Sequence, residues 1–307
     1  MKLGIAAKLS KIEWDMHRLK LSYDEVLGSY KQQGKNVDRI VTSHFHQKQN
    51  IEHILTRVPD AEVIDIIALQ EARIPKPEVE MLAVIGGDNF FQICSHLFPD
   101  AYIIGINSDP QTSYGKLLHF TPESFEQCLE RMVAGEFNTE AWTKIATKVN
   151  GVRMEDSICT VSLSIKATDM ISRYQLKLNG ESEEQKCTGF VVVAGAGSGT
   201  GAWYRNAGLY LPLIKSGAYP LVTQEFPRTS AELRTLTREA FMGEDCKYRG
   251  LNLQIKDGEE LTLRYWANDP SELSLDSVTR HDVNEGDMLT FKVSENKLKV
   301  VVPFSSD

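Results

Sequence analysis

The 307-residue chain is 42% hydrophobic and 25% charged, enough apolar material for one large or two medium globular domains. A formal net charge of -8 without any cluster of Lys and Arg excludes nucleic acid and an anionic membrane as main partners. Five scattered cysteines with no Cys-x-x-Cys pair provide neither a disulfide framework nor a zinc knuckle. The N-terminus lacks the apolar run of a signal peptide, and no stretch approaches the ~20 apolar residues of a membrane span, so a reduced, cytoplasmic protein is expected.

In chain order, Leu3–Ala7 reads as a strand, and residues 13–33 carry a helical stripe of Trp14, Leu19, Leu21, Val26, Leu27 and Tyr30. Asn50–Val58 reads as a helix and Glu62–Ile67 as a strand. Met81–Ile85 is a continuous apolar strand, followed by a helix over 89–97, a strand over Ala101–Ile106 and a helix over Thr121–Ala134 that opens on an N-cap, a proline and an acidic turn. Such alternation predicts a mostly parallel sheet with helices on both faces. Beyond Asn150 the texture changes to strands separated by Asn179-Gly180, Asp257-Gly258 and Glu285-Gly286. Strands are expected over 158–165, 173–178, 188–194, 247–255, 260–266 and 288–293. The expected organisation is an α/β domain over 1–147, a β-rich domain over 148–295 meeting it closely across a cleft, and a tail over 296–307.

Two glycine-rich elements bear on chemistry. Gly86-Gly87-Asp88 follows a buried strand and opens a helix, whose first N-H groups attract anions. Glycine lets a phosphate approach the backbone, while the carboxylate repels phosphate and suits a hydroxyl or a magnesium ion. The competing reading is a turn with Asp88 as N-cap. The second element, Gly195-Ala196-Gly197-Ser198-Gly199-Thr200-Gly201, follows the strand Phe190–Val193 and offers backbone donors and two hydroxyls; a hinge is its alternative. Together they suggest one nucleotide-sized site. Asn107 and Asp109 follow another strand end and either line that site or form a turn. Arg228, Arg234 and Arg238 read as a solvated face, with a cluster gathered on phosphates as the alternative, and His46 and His53, two turns apart at ~10 Å, are too far apart for one ion without other ligands.

Val84-Ile85-Gly86-Gly87-Asp88, then Ile103-Ile104-Gly105-Ile106-Asn107-Ser108-Asp109-Pro110, then the second glycine-rich loop with Ala202-Trp203, resemble the NAD kinases, most closely the mitochondrial-type branch. The likeness continues through 44–54, Gly135-Glu136-Phe137, Asp276 and 297–301, in the family's order. It implies a phosphofructokinase-like α/β N-terminal domain, a β-rich C-terminal domain, and transfer of the ATP γ-phosphoryl group to the adenosine ribose 2′-hydroxyl of NAD. On that reading Asp88 is the catalytic carboxylate, and Gly86, Gly87, Asn89, Asn107, Lys8, Gly197, Ser198, Gly199 and Thr200 contact nucleotides. Magnesium would accompany ATP, and a homo-oligomer, a dimer first, is expected.

The sequence departs from the family pattern at Asn89-Phe90, where Gly-Thr is usual, and Phe90 adds bulk near the expected phosphates. The family's Asn-Glu or Asn-Asp pair is missing between residues 150 and 180, where Asp169 reads as an exposed loop residue. A nucleotide-binding sensor without turnover, or a kinase for another nucleotide acceptor, is therefore the alternative. A lipid kinase sharing Gly-Gly-Asp is a further one, without a basic amphipathic helix to support it.

Overall fold

The computed structural model describes residues 2–167, 169–199, 202–209, 224–241 and 248–304. It divides into two compact units, residues 1–140 with 299–307, and residues 141–298.

The first unit begins with β1 (Leu3–Ala7), α1 (Lys11–Leu19), α2 (Tyr23–Gln32) and α3 (Val37–Arg57). The single helical stripe expected over 13–33 is two helices, because Lys20 turns left-handed at φ 56° and Ser22 starts a new helix with a capping box to Glu25. β2 is only Glu62–Val63, and the expected strand residues Ile66 and Ile67 instead open α4 (Ile66–Gln70), capped by the Asp65 side chain on the Ala68 N-H. Then follow β3 (Met81–Gly86), α5 (Asp88–Leu97), β4 (Tyr102–Asn107) and α6 (Pro122–Val133). The strands pair in the order β2-β1-β3-β4, all parallel. Every residue of β3 is buried, as a strand covered on both faces must be, which explains its unbroken apolar run.

The second unit contains most of β5 (Asn138–Val149), then β6 (Val152–Arg153), β7 (Thr160–Ile165), β8 (Ser172–Leu178), β9 (Glu181–Cys187) and β10 (Gly189–Val193). After a 3-10 turn (Gly195–Gly197) and α7 (Trp203–Leu209) come β11 (Glu232–Arg238), β12 (Gln254–Lys256), β13 (Leu261–Tyr265), β14 (Ser271–Leu275), β15 (Thr279–Val283) and β16 (Met288–Val302). One antiparallel sheet runs β12-β11-β10-β7-β14-β15, and β16, β13, β8 and β9 pair in that order. Alternate residues such as Leu163, Phe190 and Val192 meet Tyr174, Leu263 and Phe291 in a common core. Val191 and Val193, on the other face of β10, pack with Tyr204, Phe226 and Leu251. Residues 299 and 300 of β16 belong to the first unit, where they pair in parallel with Tyr102 and Ile103. No helix among the described residues is long and apolar enough to cross a membrane.

Phe91 on α5 is fully buried. Phe91→Ala is expected to cost about 3–5 kcal/mol, read as a lower urea midpoint for the first unit.

Candidate functional site

The carboxyl ends of β3 and β4 carry the first cluster, where ligands bind in open parallel α/β sheets. Gly87, in extended backbone, is the N-cap of α5 and Asp88 is its first residue, so Asp88 does not cap the helix. Its carboxylate instead reaches another segment: Leu117 N-H donates to Oδ1 at 2.8 Å and Lys116 N-H to Oδ2 at 3.2 Å. Two backbone donors fix the carboxylate and leave acceptor capacity for a third group, because an ionised carboxylate has about four lone-pair sites.

The two neighbouring glycines have different reasons to lack a side chain. A Cβ on Gly86 would lie 2.7 Å from Phe90 Cδ1 and 3.2 Å from Lys8 Cβ. Phe90 is 9% exposed, so its ring turns onto Gly86 and is largely buried. Neither constraint acts on Gly87, where the nearest atom to an added Cβ is Ser113 Oγ at 4.0 Å. Its bare backbone stands open beside Asp88, and Asn89 and Lys8 are exposed.

Asn107 and Asp109, both buried, spend their side chains on the loop that leaves β4. Asn107 donates to the Ser113 carbonyl at 2.9 Å and accepts from the Asp109 N-H at 3.0 Å. Asp109 Oδ2 accepts from Ser43 Oγ of α3 at 2.5 Å and from Thr112 Oγ1. This turn was one of the two readings open for Ser108-Asp109-Pro110.

In the second unit the glycine-rich segment is tightly packed. Gly197, Ser198 and Gly199 are buried, and Thr200 lies outside the described residues. A Cβ on Gly195 would fall 2.1 Å from the Pro227 carbonyl oxygen, and one on Gly197 2.4 Å from that of Cys159. These glycines are dictated by backbone meeting backbone. The Ser198 hydroxyl donates to the Gly195 carbonyl at 2.7 Å and accepts from the Phe226 N-H at 3.2 Å. Beneath the segment, the buried Asp276 carboxylate accepts the N-H groups of Ile158, Cys159 and Thr160 at 2.6, 2.9 and 2.7 Å. Sequence reasoning saw Asp276 only as part of a pattern; its three partners, over a hundred residues earlier, have no local signal.

The remaining expectations have mixed outcomes. Arg234, read as part of a solvated face, is 7% exposed, bridges Glu232 at 2.9 Å and stacks on Phe226 at 4.1 Å. Arg228 and Arg238 stack on Trp142 and Trp203. His44 bonds Ser10 Oγ at 2.7 Å and His53 meets Glu126 at 2.9 Å. Asp169 is exposed, as read.

The chain thus combines an α/β unit built on a parallel sheet with a β-rich unit built on antiparallel strands. In structure the chain is similar to an NAD kinase from Archaeoglobus fulgidus solved in complex with ATP, with a TM-score of 0.61, 15% identity, and coverage of 99% of this chain and 94% of that one. It is similar also to yeast NADH kinase complexed with NADH, with a TM-score of 0.65, 11% identity, and coverage of 84% and 80%. In sequence it is 24% identical over 266 residues to a probable NADH kinase of Oryza sativa subsp. japonica, covering 78% of this chain and 77% of that protein. It is 27% identical over 124 residues to an NAD kinase of Methanopyrus kandleri, covering 39% and 44%. No family model matches the chain. The fold is that of the NAD kinases, and the chain is a distant relative of proteins named NAD and NADH kinase.

The packing separates the glycines by substitution. Gly197→Ala is expected to destabilise by about 2 kcal/mol or more, because backbone must move. Gly87→Ala should change stability by less than about 1 kcal/mol. Urea unfolding of both variants checks the contrast.

Proposed function

We propose that the protein is an ATP-dependent kinase of the NAD kinase type, transferring the γ-phosphoryl group of ATP to the 2′-hydroxyl of the adenosine ribose of NAD to give NADP. The observation that carries this is the open Gly87 backbone beside the fixed Asp88 carboxylate, at the strand end of a fold and sequence shared with NAD and NADH kinases. Asp88 accepts the hydroxyl hydrogen while the hydroxyl oxygen attacks the γ-phosphorus and ADP leaves. With two N-H donors already on it, the carboxylate orients the hydroxyl as much as it takes the proton.

Phosphates are favoured beside Gly86, Gly87 and Asn89, at the N-terminus of the ten-residue α5, with exposed Lys8 supplying positive charge. Asn107 contributes by shaping the adjoining loop. In the second unit, Gly197, Ser198, Gly199 and Thr200 contribute nucleotide contacts through backbone rather than through the Ser198 hydroxyl, which is engaged internally. Magnesium arrives on ATP as part of the substrate. Positioning and charge neutralisation carry the catalysis. The relatives' kinase names favour turnover over a sensor. We further propose a cytoplasmic homodimer, a compartment suited by scattered cysteines with no Cys-x-x-Cys pair; light scattering reads the stoichiometry.

Purified protein given magnesium, ATP and NAD is expected to form NADP. Asp88→Asn should lower kcat by about 10²- to 10⁴-fold while calorimetry shows unchanged nucleotide binding. Binding of NAD without turnover in the wild type would reject the kinase.

A further inference from the structure

The donors on Asp88 come from a loop that is itself held down at its far end. Residues 108–119 leave β4 and return beside it, where Phe120 N-H donates to the Gly105 carbonyl at 3.0 Å and Asn107 N-H to the Phe120 carbonyl at 2.8 Å. At the exit, Asp109 closes a turn: its carbonyl accepts the Ser113 N-H at 2.9 Å, and its Oδ2 takes the Thr112 hydroxyl. The same oxygen accepts Ser43 of α3, and Gln47 of α3 donates to Ser43 Oγ at 3.0 Å. A second tie to α3 runs from Asn50 Nδ2 to the Ser108 carbonyl at 3.0 Å. Asp109 is 3% exposed, and its Oδ1 is buried without a partner. Burying a carboxylate with one oxygen unsatisfied opposes folding. The compensating work visible here is at Oδ2, which joins the loop to the helix.

We propose that Asp109 is a positioning residue: by fastening the 108–117 loop to α3 it holds the Lys116 and Leu117 N-H groups on Asp88. The proposal rests on the reading of Asp88 as the carboxylate of the reaction. Asp109 touches no reacting atom; it acts through the loop, which sets where the Asp88 oxygens point. One side-chain acceptor at Oδ2 suffices for this, so an asparagine, whose amide oxygen can take that place, preserves the anchor, whereas alanine removes it.

The test compares Asp109→Ala, Asp109→Asn, Ser43→Ala and Asp88→Asn in the full-length protein, with NADP formation and amide hydrogen exchange of residues 110–118 as readouts. Asp109→Ala is expected to lower kcat about tenfold to a hundredfold, with KM for ATP and NAD within about twofold and faster exchange at 116 and 117. Asp109→Asn should restore kcat to within about threefold of wild type. Ser43→Ala should move kcat and exchange in the same direction by less, and carries the test if Asp109→Ala does not fold. Unchanged exchange at 116 and 117 in Asp109→Ala or Ser43→Ala overturns the proposal, whether or not the protein makes NADP. So does a normal kcat in Asp109→Ala while Asp88→Asn is inactive, which leaves the reading of Asp88 standing. Full turnover in Asp88→Asn overturns that reading and the proposal with it.

Discussion

The candidate chemistry depends on one carboxylate accepting backbone hydrogen bonds from a distant loop. Asp88 sits where β3 ends and α5 begins, and it takes the N-H groups of Lys116 and Leu117. Charge-assisted bonds of this kind are stronger and shorter than neutral ones, so they set geometry as well as energy. The helix below is fixed by buried Phe91 and Cys94, and the loop by Asn107 and Asp109. Each support is packed, which allows an acid on a strand end to keep one orientation. Unlike Gly86, Gly105 and Gly115, Gly87 leaves room for a group beside it.

The second unit uses the same device for another purpose. Asp276, itself left-handed at φ 51°, accepts three consecutive N-H groups from 158–160. That corner places the Cys159 carbonyl under Gly197 and on the Ala194 N-H at 3.0 Å. A buried acid therefore holds the floor on which the glycine-rich segment rests. Bare glycine there reflects the closeness of two backbone segments, a packing reason independent of phosphate.

Much of the α/β fold was legible because its cues are local. β3 and β4 are continuous apolar runs, and α6 announces itself through Thr121, Pro122 and the capping box with Ser124. The break at Lys20 was hidden because apolar positions on both sides keep helical spacing. β9 was missed since Glu181, Glu183, Glu184 and Lys186 look like a solvated run, which an edge strand can be. β11, with Arg and Thr between its leucines, is buried because Arg234 and Thr237 find partners elsewhere in the chain. At the candidate site, Gly86, Gly87 and Asp88 could be picked out by type and order. What the residues do to one another could not: the partners of Asp88 are 28 and 29 positions away, and the hydroxyl of Ser198 is engaged by Phe226, 28 positions on.

The most direct measurement follows the phosphoryl group itself. With γ-labelled ATP and NAD in a single turnover, phosphorus NMR and mass analysis of the product locate the label. The expected product is a phosphomonoester on the 2′-oxygen of the adenosine ribose, formed by the wild type and slowed by orders of magnitude in Asp88→Asn. Label released only as inorganic phosphate, or transfer to the 2′-oxygen at the same rate without the Asp88 carboxylate, would contradict it.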